Sequence, residues 1–163
     1  MTEHEATIEA NEELAFEYLK QITPPKWTVT RTKNKFERYD VNVASSDYSF
    51  IVENKIRDYD INIYGDQAII DYSKVEFLKK KDINARIISY FPKNNAIFSH
   101  KVKDSDKWET GYIKCRKNQK TREKIDKRVY FLPTTEEYRV KVEIDISDGL
   151  ERVEEIKRRL LCN

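Results

Sequence analysis

Three residues of this chain are spaced to do chemistry together: Asp40, Glu53 and Lys55. Residues 38–44 alternate, with Tyr39, Val41 and Val43 on one face and Arg38, Asp40 and Asn42 on the other. Residues 48–57 alternate too. Phe50, Val52, Asn54 and Ile56 share one face, and Ile51, Glu53 and Lys55 share the opposite one. Between the two runs, Ser45-Ser46-Asp47 reads as a hairpin turn, which sets Asp40 beside Glu53 at about 5 Å. Two neighbouring carboxylates repel, and each tends to hold a proton. A hard divalent cation removes that conflict, because Mg²⁺ commonly takes one or two carboxylates plus waters and phosphate oxygens. Such a metal acidifies a bound water and stabilises charge on a phosphoryl oxygen. A lysine alongside positions the water and neutralises the phosphate. Asp…Glu-X-Lys on paired strands therefore predicts Mg²⁺- or Mn²⁺-dependent phosphodiester hydrolysis. The plain alternative is a cross-strand, salt-bridged surface.

The scarcity of other reactive residues removes rival chemistries. The three glycines, Gly65, Gly111 and Gly149, are too far apart for a phosphate-cradling loop. Two histidines, His4 and His100, and two cysteines, Cys115 and Cys162, argue against zinc sites and disulfide frameworks. A serine triad would rest on His100 alone, and its place in a strand marks it as structural. Both cysteines read as free thiols in a reducing compartment. The start of the chain is acidic and polar, unlike a signal peptide, and no apolar run spans a membrane. The expectation is a cytoplasmic protein.

Charged residues make up 37% of the 163 residues, yet the net charge is only +2. The total conceals blocks. Residues 1–20 balance to −5, residues 101–128 to +6 and residues 134–163 to −2. The basic block holds Lys114, Arg116, Lys117, Lys120, Arg122 and Lys124, with Trp108 and Tyr112 among them. Lysine and arginine suit phosphates, and aromatics suit unpaired bases, so this segment is the candidate nucleic-acid grip.

The elements that must position these residues follow from periodicity. Residues 5–21 predict an amphipathic helix on which Glu12 falls inside the apolar arc and Glu9, Glu13 and Glu17 fall outside it or at its edge. Pro24-Pro25 ends it. Strands are expected at 27–32, 38–44 and 48–57, then a helix at 69–80 with Ile70, Lys74, Phe77 and Leu78 on one side. Further strands are expected at 85–91 and 96–102, joined by a turn at 92–95. The basic block reads as an irregular excursion with a short helix. Strands at 128–132 and 138–145 and an amphipathic helix beyond Asp148 complete the chain. The fold class is α/β, a central mixed four- to five-stranded sheet flanked by helices.

The residues Tyr39-Asp40-Val41 followed by Phe50-Ile51-Val52-Glu53-Asn54-Lys55 resemble the PD-(D/E)XK nuclease superfamily. That is the restriction-endonuclease-like fold, shared by phage nucleases and Holliday-junction resolvases. The likeness spans about residues 5–102. The remainder divides into the basic excursion at 103–128 and C-terminal strand and helix additions at 129–163, all within one domain. It implies a deoxyribonuclease, of endonuclease type, with Asp40 and Glu53 on the metal, the Asn54 backbone carbonyl assisting and Lys55 catalytic. It further implies a metal-facing glutamate on the first helix, matched best by Glu12, and a phosphate contact from Lys74. The sequence departs from the family pattern at Tyr39, where proline is usual, and at Asn54, where an apolar side chain is usual. Asn54 faces the core and requires an internal hydrogen-bond partner.

DNA is the first expected partner, with RNA as the other polyanion and a homodimer open. Two non-enzymatic readings stand beside the nuclease. One is a nucleic-acid-binding module on the same scaffold. The other is a protein-binding factor that uses the acidic first helix and acidic tail.

Overall fold

The computed structural model describes residues 1–33, 39–116 and 124–162, with the side chains of residues 39, 40, 115, 116, 124 and 125 outside that description. Helix α1 (Glu3–Ile22) opens on a capping box, in which Thr2 and Glu5 satisfy each other's backbone N–H groups. Strands β1 (Thr28–Lys33), β2 (Tyr39–Ala44) and β3 (Ser49–Ile56) form an antiparallel meander. The chain then crosses over through β4 (Gln67–Asp71) and α2 (Tyr72–Lys81) and returns as β5 (Arg86–Phe91), parallel to β3. Strand β6 (Ala96–Lys101) pairs antiparallel with β5 and completes a mixed five-stranded sheet in the order β1-β2-β3-β5-β6.

Alternation along these strands divides the core in two. One face of the sheet carries Val41, Val43, Val52, Ile88, Tyr90 and Ile97 and packs under α1 and α3 (Gly149–Cys162). The other face carries Ile51, Ile87, Phe91 and Phe98 and packs under α2 and a second sheet. Strand β5 is buried on both faces from Ile87 to Phe91, which is why its sequence reads as a nearly unbroken apolar run.

Helix α3 lies along α1, with Val153, Ile156 and Leu160 turned to the core. Its bases meet the acids of α1: Lys157 with Glu3, Arg159 with Glu13 and Arg152 with Glu17. Each such pair contributes about 0–1 kcal/mol, against about 1.5–3 kcal/mol for a buried aliphatic side chain. Apolar contact therefore holds the helix more than the ion pairs along its edge do. The helix begins where Gly149 meets Pro92 and Tyr18. A Cβ there would come within 2.8 Å of the Pro92 ring.

Three expectations change. Residues 67–71 form a strand rather than the first turn of a helix. Ile70 faces the second core from β4, and α2 starts only at Tyr72, with Val75 and Leu78 inward and Phe77 in solvent. The basic block, expected as an irregular excursion with a short helix, does open on a short 3-10 helix (Val102–Lys107). It continues, however, as antiparallel strands β7 (Glu109–Arg116) and β8 (Lys124–Pro133), and β8 absorbs the strand expected at 128–132. These strands form a three-stranded sheet in the order β4-β8-β7. Finally, residues 138–145 are not a strand. They touch β6 through one bridge, Phe98 with Arg139, and one bond from Val140 N–H to the Ile97 carbonyl. Among the described residues no helix is long and apolar enough to cross a membrane.

Candidate active site

The β2–β3 ladder runs from Ala44↔Ser49 to Val41↔Val52 and stops there, while β3 continues beside β5 to Ile56. Asp40 is the residue immediately past the last pair on β2, and Glu53 is its counterpart on β3. The pairing therefore stops one residue short of the expected Asp40–Glu53 neighbours. The Asp40 side chain lies outside the described residues.

Glu53 and Lys55 lie on the face that α2 covers, in register with Ile87 and Ser89 of β5. Helix α2 is fastened there at several points. Val75 and Leu78 enter the core. The Tyr130 hydroxyl donates to Glu76 Oε1 at 2.7 Å. At the far end, the Ile51 N–H of β3 donates to Asp82 Oδ2 at 2.9 Å. Held in this way, α2 brings Lys74 Nζ to 3.3 Å from Glu53 Oε2. Both side chains are partly buried, at 32% and 19% exposed, so this pair is screened less than a surface one.

Lys55 keeps an open flank by surface area, yet protein atoms crowd its ammonium. That desolvation is the largest influence on the group and lowers its pKa. Glu53 pulls the pKa back up, and the neighbouring cations Arg57 and Lys74 push it down again.

Arg57, one step beyond β3, is the residue that the sequence reading missed. It is 8% exposed, and its guanidinium makes two long contacts of 3.4 Å to Ser89 Oγ. Among the described residues no carboxylate pairs with it. Burial lowers its pKa, while Tyr59, Glu53 and Asp71 act in the opposite sense. Asp71, at the head of α2, is taken by Lys127 at 2.8 Å. Among the described side chains the cluster thus holds two carboxylates, each paired to a lysine, and two further cations, Lys55 and Arg57, for which no ion pair is formed. Nothing in the sequence marks a charge at a strand end as buried, so no signal there could have found Arg57.

Other expected site residues fall elsewhere. Glu12 does turn inward, but it meets Arg31 of β1 at 3.9 Å, and Arg31 lies in register with Val41 on the α1 side. The sheet therefore separates Glu12 from Glu53. Asn54 also faces the α1 side, where its amide oxygen and nitrogen are buried without a hydrogen-bond partner. Its neighbour is Tyr90, whose hydroxyl is pushed well above its ordinary pKa by burial and drawn back by Asn54. The two groups feel each other but do not reach hydrogen-bond geometry.

Lys114 lies on β7 and pairs with Asp126 at 3.0 Å. Arg116 ends β7, with its side chain outside the described residues, and Lys117, Lys120 and Arg122 lie outside them altogether. Trp108 is 6% exposed and packs edge-on against His100 and Tyr130, so it cannot serve as a stacking surface. His100 is structural, as expected. Its Nε2 donates to the Pro133 carbonyl at 2.6 Å, its ring stacks on Tyr138, and its Nδ1 is buried without a partner.

Among the described residues no three His, Cys, Asp or Glu side chains gather closely enough to hold a metal ion by themselves. Mg²⁺ needs only one or two carboxylates when substrate phosphates and waters complete its shell. Among the described side chains Glu53 offers one such carboxylate, which Lys74 holds at 3.3 Å. Comparison with family models, with curated proteins and with solved structures finds no match to this chain.

Proposed function

We propose that this protein is a metal-dependent nuclease of the restriction-endonuclease-like fold, hydrolysing phosphodiester bonds of DNA. One observation carries the reading: Glu53, Lys55, Arg57 and Lys74 converge where β2 and β3 part. The fold-level reading is supported by the order of elements, in which a helix and a three-stranded meander precede a crossover helix and a strand parallel to the third.

Glu53 and Asp40 would hold Mg²⁺, with the Asn54 carbonyl beside them. When bound, the metal supplies a water acidified near neutral pH and a positive charge against the phosphoryl oxygens. The protein's own residues do the rest. Lys55 holds the attacking water in line and shares the charge that develops on the phosphate. Lys74 exchanges Glu53 for a phosphate oxygen as the substrate arrives. Arg57, buried and without a carboxylate partner among the described residues, gains an anion when a phosphate docks, and that gain favours substrate over empty site.

Among the described side chains the excess of cations over carboxylates also supports a second reading, a module that binds nucleic acid on the same scaffold without cutting it. A cleavage assay separates the two. The nuclease reading expects plasmid, linear or branched DNA to be cut in Mg²⁺ or Mn²⁺ and spared in EDTA. Binding with no cleavage in either metal favours the module.

A further inference from the structure

The β7–β8 pair has an arm that the rest of the fold does not explain. Strand β4 covers β8 only from Val129 to Pro133, whereas β7 pairs with β8 from Lys124 to Phe131. Residues 124–128 of β8 therefore pair with β7 alone, as a two-stranded arm whose base rests on the head of α2 through Lys127 and Arg128. On one face of β8, Tyr130 is buried and stacks on Tyr72 with centroids 4.8 Å apart and planes 16° apart. Two residues along, on the same face, Arg128 lays its guanidinium carbon 3.7 Å from the centre of the Tyr72 ring. Directly across from Arg128 stands Tyr112, on that same face, and it is 68% exposed.

A tyrosine that continues a row of packed aromatics and cations, yet is 68% exposed with no ring or cation packed on it among the described residues, presents a π-face to solvent. The row leads inward to the candidate site. Tyr72 is the first residue of α2, and Lys74, two residues on, reaches Glu53. The occupant must offer a flat ring for Tyr112 and an anion for Arg128, and a nucleotide offers both. A base inside a continuous duplex has its faces covered by its neighbours and cannot take up this position.

We propose that the arm is a platform for an unpaired nucleotide, with the base on Tyr112 and its phosphate at Arg128. The substrate class is then single-stranded or branched nucleic acid rather than uninterrupted duplex. The claim about cleavage specificity rests on the nuclease reading, whereas the binding claim does not.

The test measures binding in EDTA, where no metal-dependent cleavage can intervene. Oligonucleotides carrying 2-aminopurine are compared as single strands, as duplexes with an overhang and as blunt duplexes, in DNA and in RNA form. Wild-type protein is expected to bind the unpaired forms more tightly and to change their fluorescence by stacking. The tighter of the DNA and RNA arms identifies the source. Tyr112→Ala, at an exposed position, should bind single strands roughly 5- to 100-fold more weakly and lose the fluorescence change, with Tyr112→Trp retaining both. Blunt-duplex affinity should stay the same in both variants. Equal binding by Tyr112→Ala and wild type, a preference for blunt duplex, or no binding at all would each overturn the proposal. Adding Mg²⁺ keeps the two readings apart. Tyr112-dependent binding without cleavage sinks the nuclease and keeps the platform. Cleavage of blunt duplex that is lost in Lys55→Ala but indifferent to Tyr112→Ala does the reverse.

Discussion

Lys74 Nζ lies 3.3 Å from Glu53 Oε2, joining the crossover helix to the strand whose Glu-X-Lys motif carries the candidate chemistry. In this arrangement the lysine is the counter-ion of the carboxylate that would hold Mg²⁺. Lysine and metal therefore compete for Glu53. Lys74→Met is expected to lower the Mg²⁺ concentration needed for half-maximal cleavage. It should also remove one phosphate contact, reducing the slope of log affinity against log salt by about 0.9 on duplex DNA. Metal titration and salt titration of the variant check both, and an unchanged metal requirement would show that the pair does not gate the metal.

The same lysine acts on Lys55. Its charge is one of the influences that lower the Lys55 pKa, after desolvation. If the ammonium of Lys55 must be charged to act, the rate falls as pH rises through that lowered pKa. Removing Lys74 takes away a repulsive cation, so the alkaline limb of the pH–rate profile should move to higher pH in Lys74→Met. A limb that stays in place, or moves down, argues against a charged Lys55 in the rate-limiting step.

Arg57 separates a binding role from a structural one. A buried charge without a carboxylate partner destabilises a fold, and replacing it by an apolar side chain of similar length relieves the desolvation. Arg57→Met should therefore leave stability unchanged or raise it by about 1–4 kcal/mol, while weakening DNA binding and cleavage. Urea unfolding alongside a cleavage assay measures both. Loss of stability together with loss of activity would make Arg57 a structural residue held by Ser89.

His100 predicts how the fold answers to acid. Burial lowers its pKa from 6.5 to about 4, while the Pro133 bond works in the opposite sense. Between those values the unfolded chain binds a proton that the folded chain does not. Stability is thus whole above pH 6.5 and falls as the pH drops towards 4. The full loss from this residue amounts to about 3 kcal/mol. Denaturation midpoints of wild type and His100→Gln between pH 7 and pH 4 should converge as the pH falls. Parallel curves would remove His100 as the cause.

Much of the site was legible because a period of two is a strong signal. It places Glu53 and Lys55 on one face and Val52 on the other, and the short turn at 45–47 sets the register in which Val41 meets Val52. Long-range pairing was not legible. Ile69 and Ile70 stand close enough to Lys74, Phe77 and Leu78 to imitate a helical stripe, and only pairing with β8, far along the chain, makes residues 67–71 a strand. The described residues at the base of the β7–β8 arm, Tyr112, Lys114, Asp126, Lys127 and Arg128, are exposed, so they carry no apolar alternation to read. Val140, Val142 and Ile144 do alternate, but alternation specifies a face to bury and not a partner to pair with. Glu12 was read correctly as turned inward, and its partner Arg31 lay on a strand whose facing depends on the register of the whole meander.

The most direct measurement is the rate of Mg²⁺-dependent DNA cleavage by wild-type protein and by Lys55→Ala, each first shown to unfold at the same temperature. Lys55 keeps an open flank, so its truncation should leave the fold intact. The account predicts cleavage by wild type and a loss of about 100-fold or more in the variant, the size expected when a group that stabilises developing charge is removed. Cleavage by Lys55→Ala at the wild-type rate would contradict it.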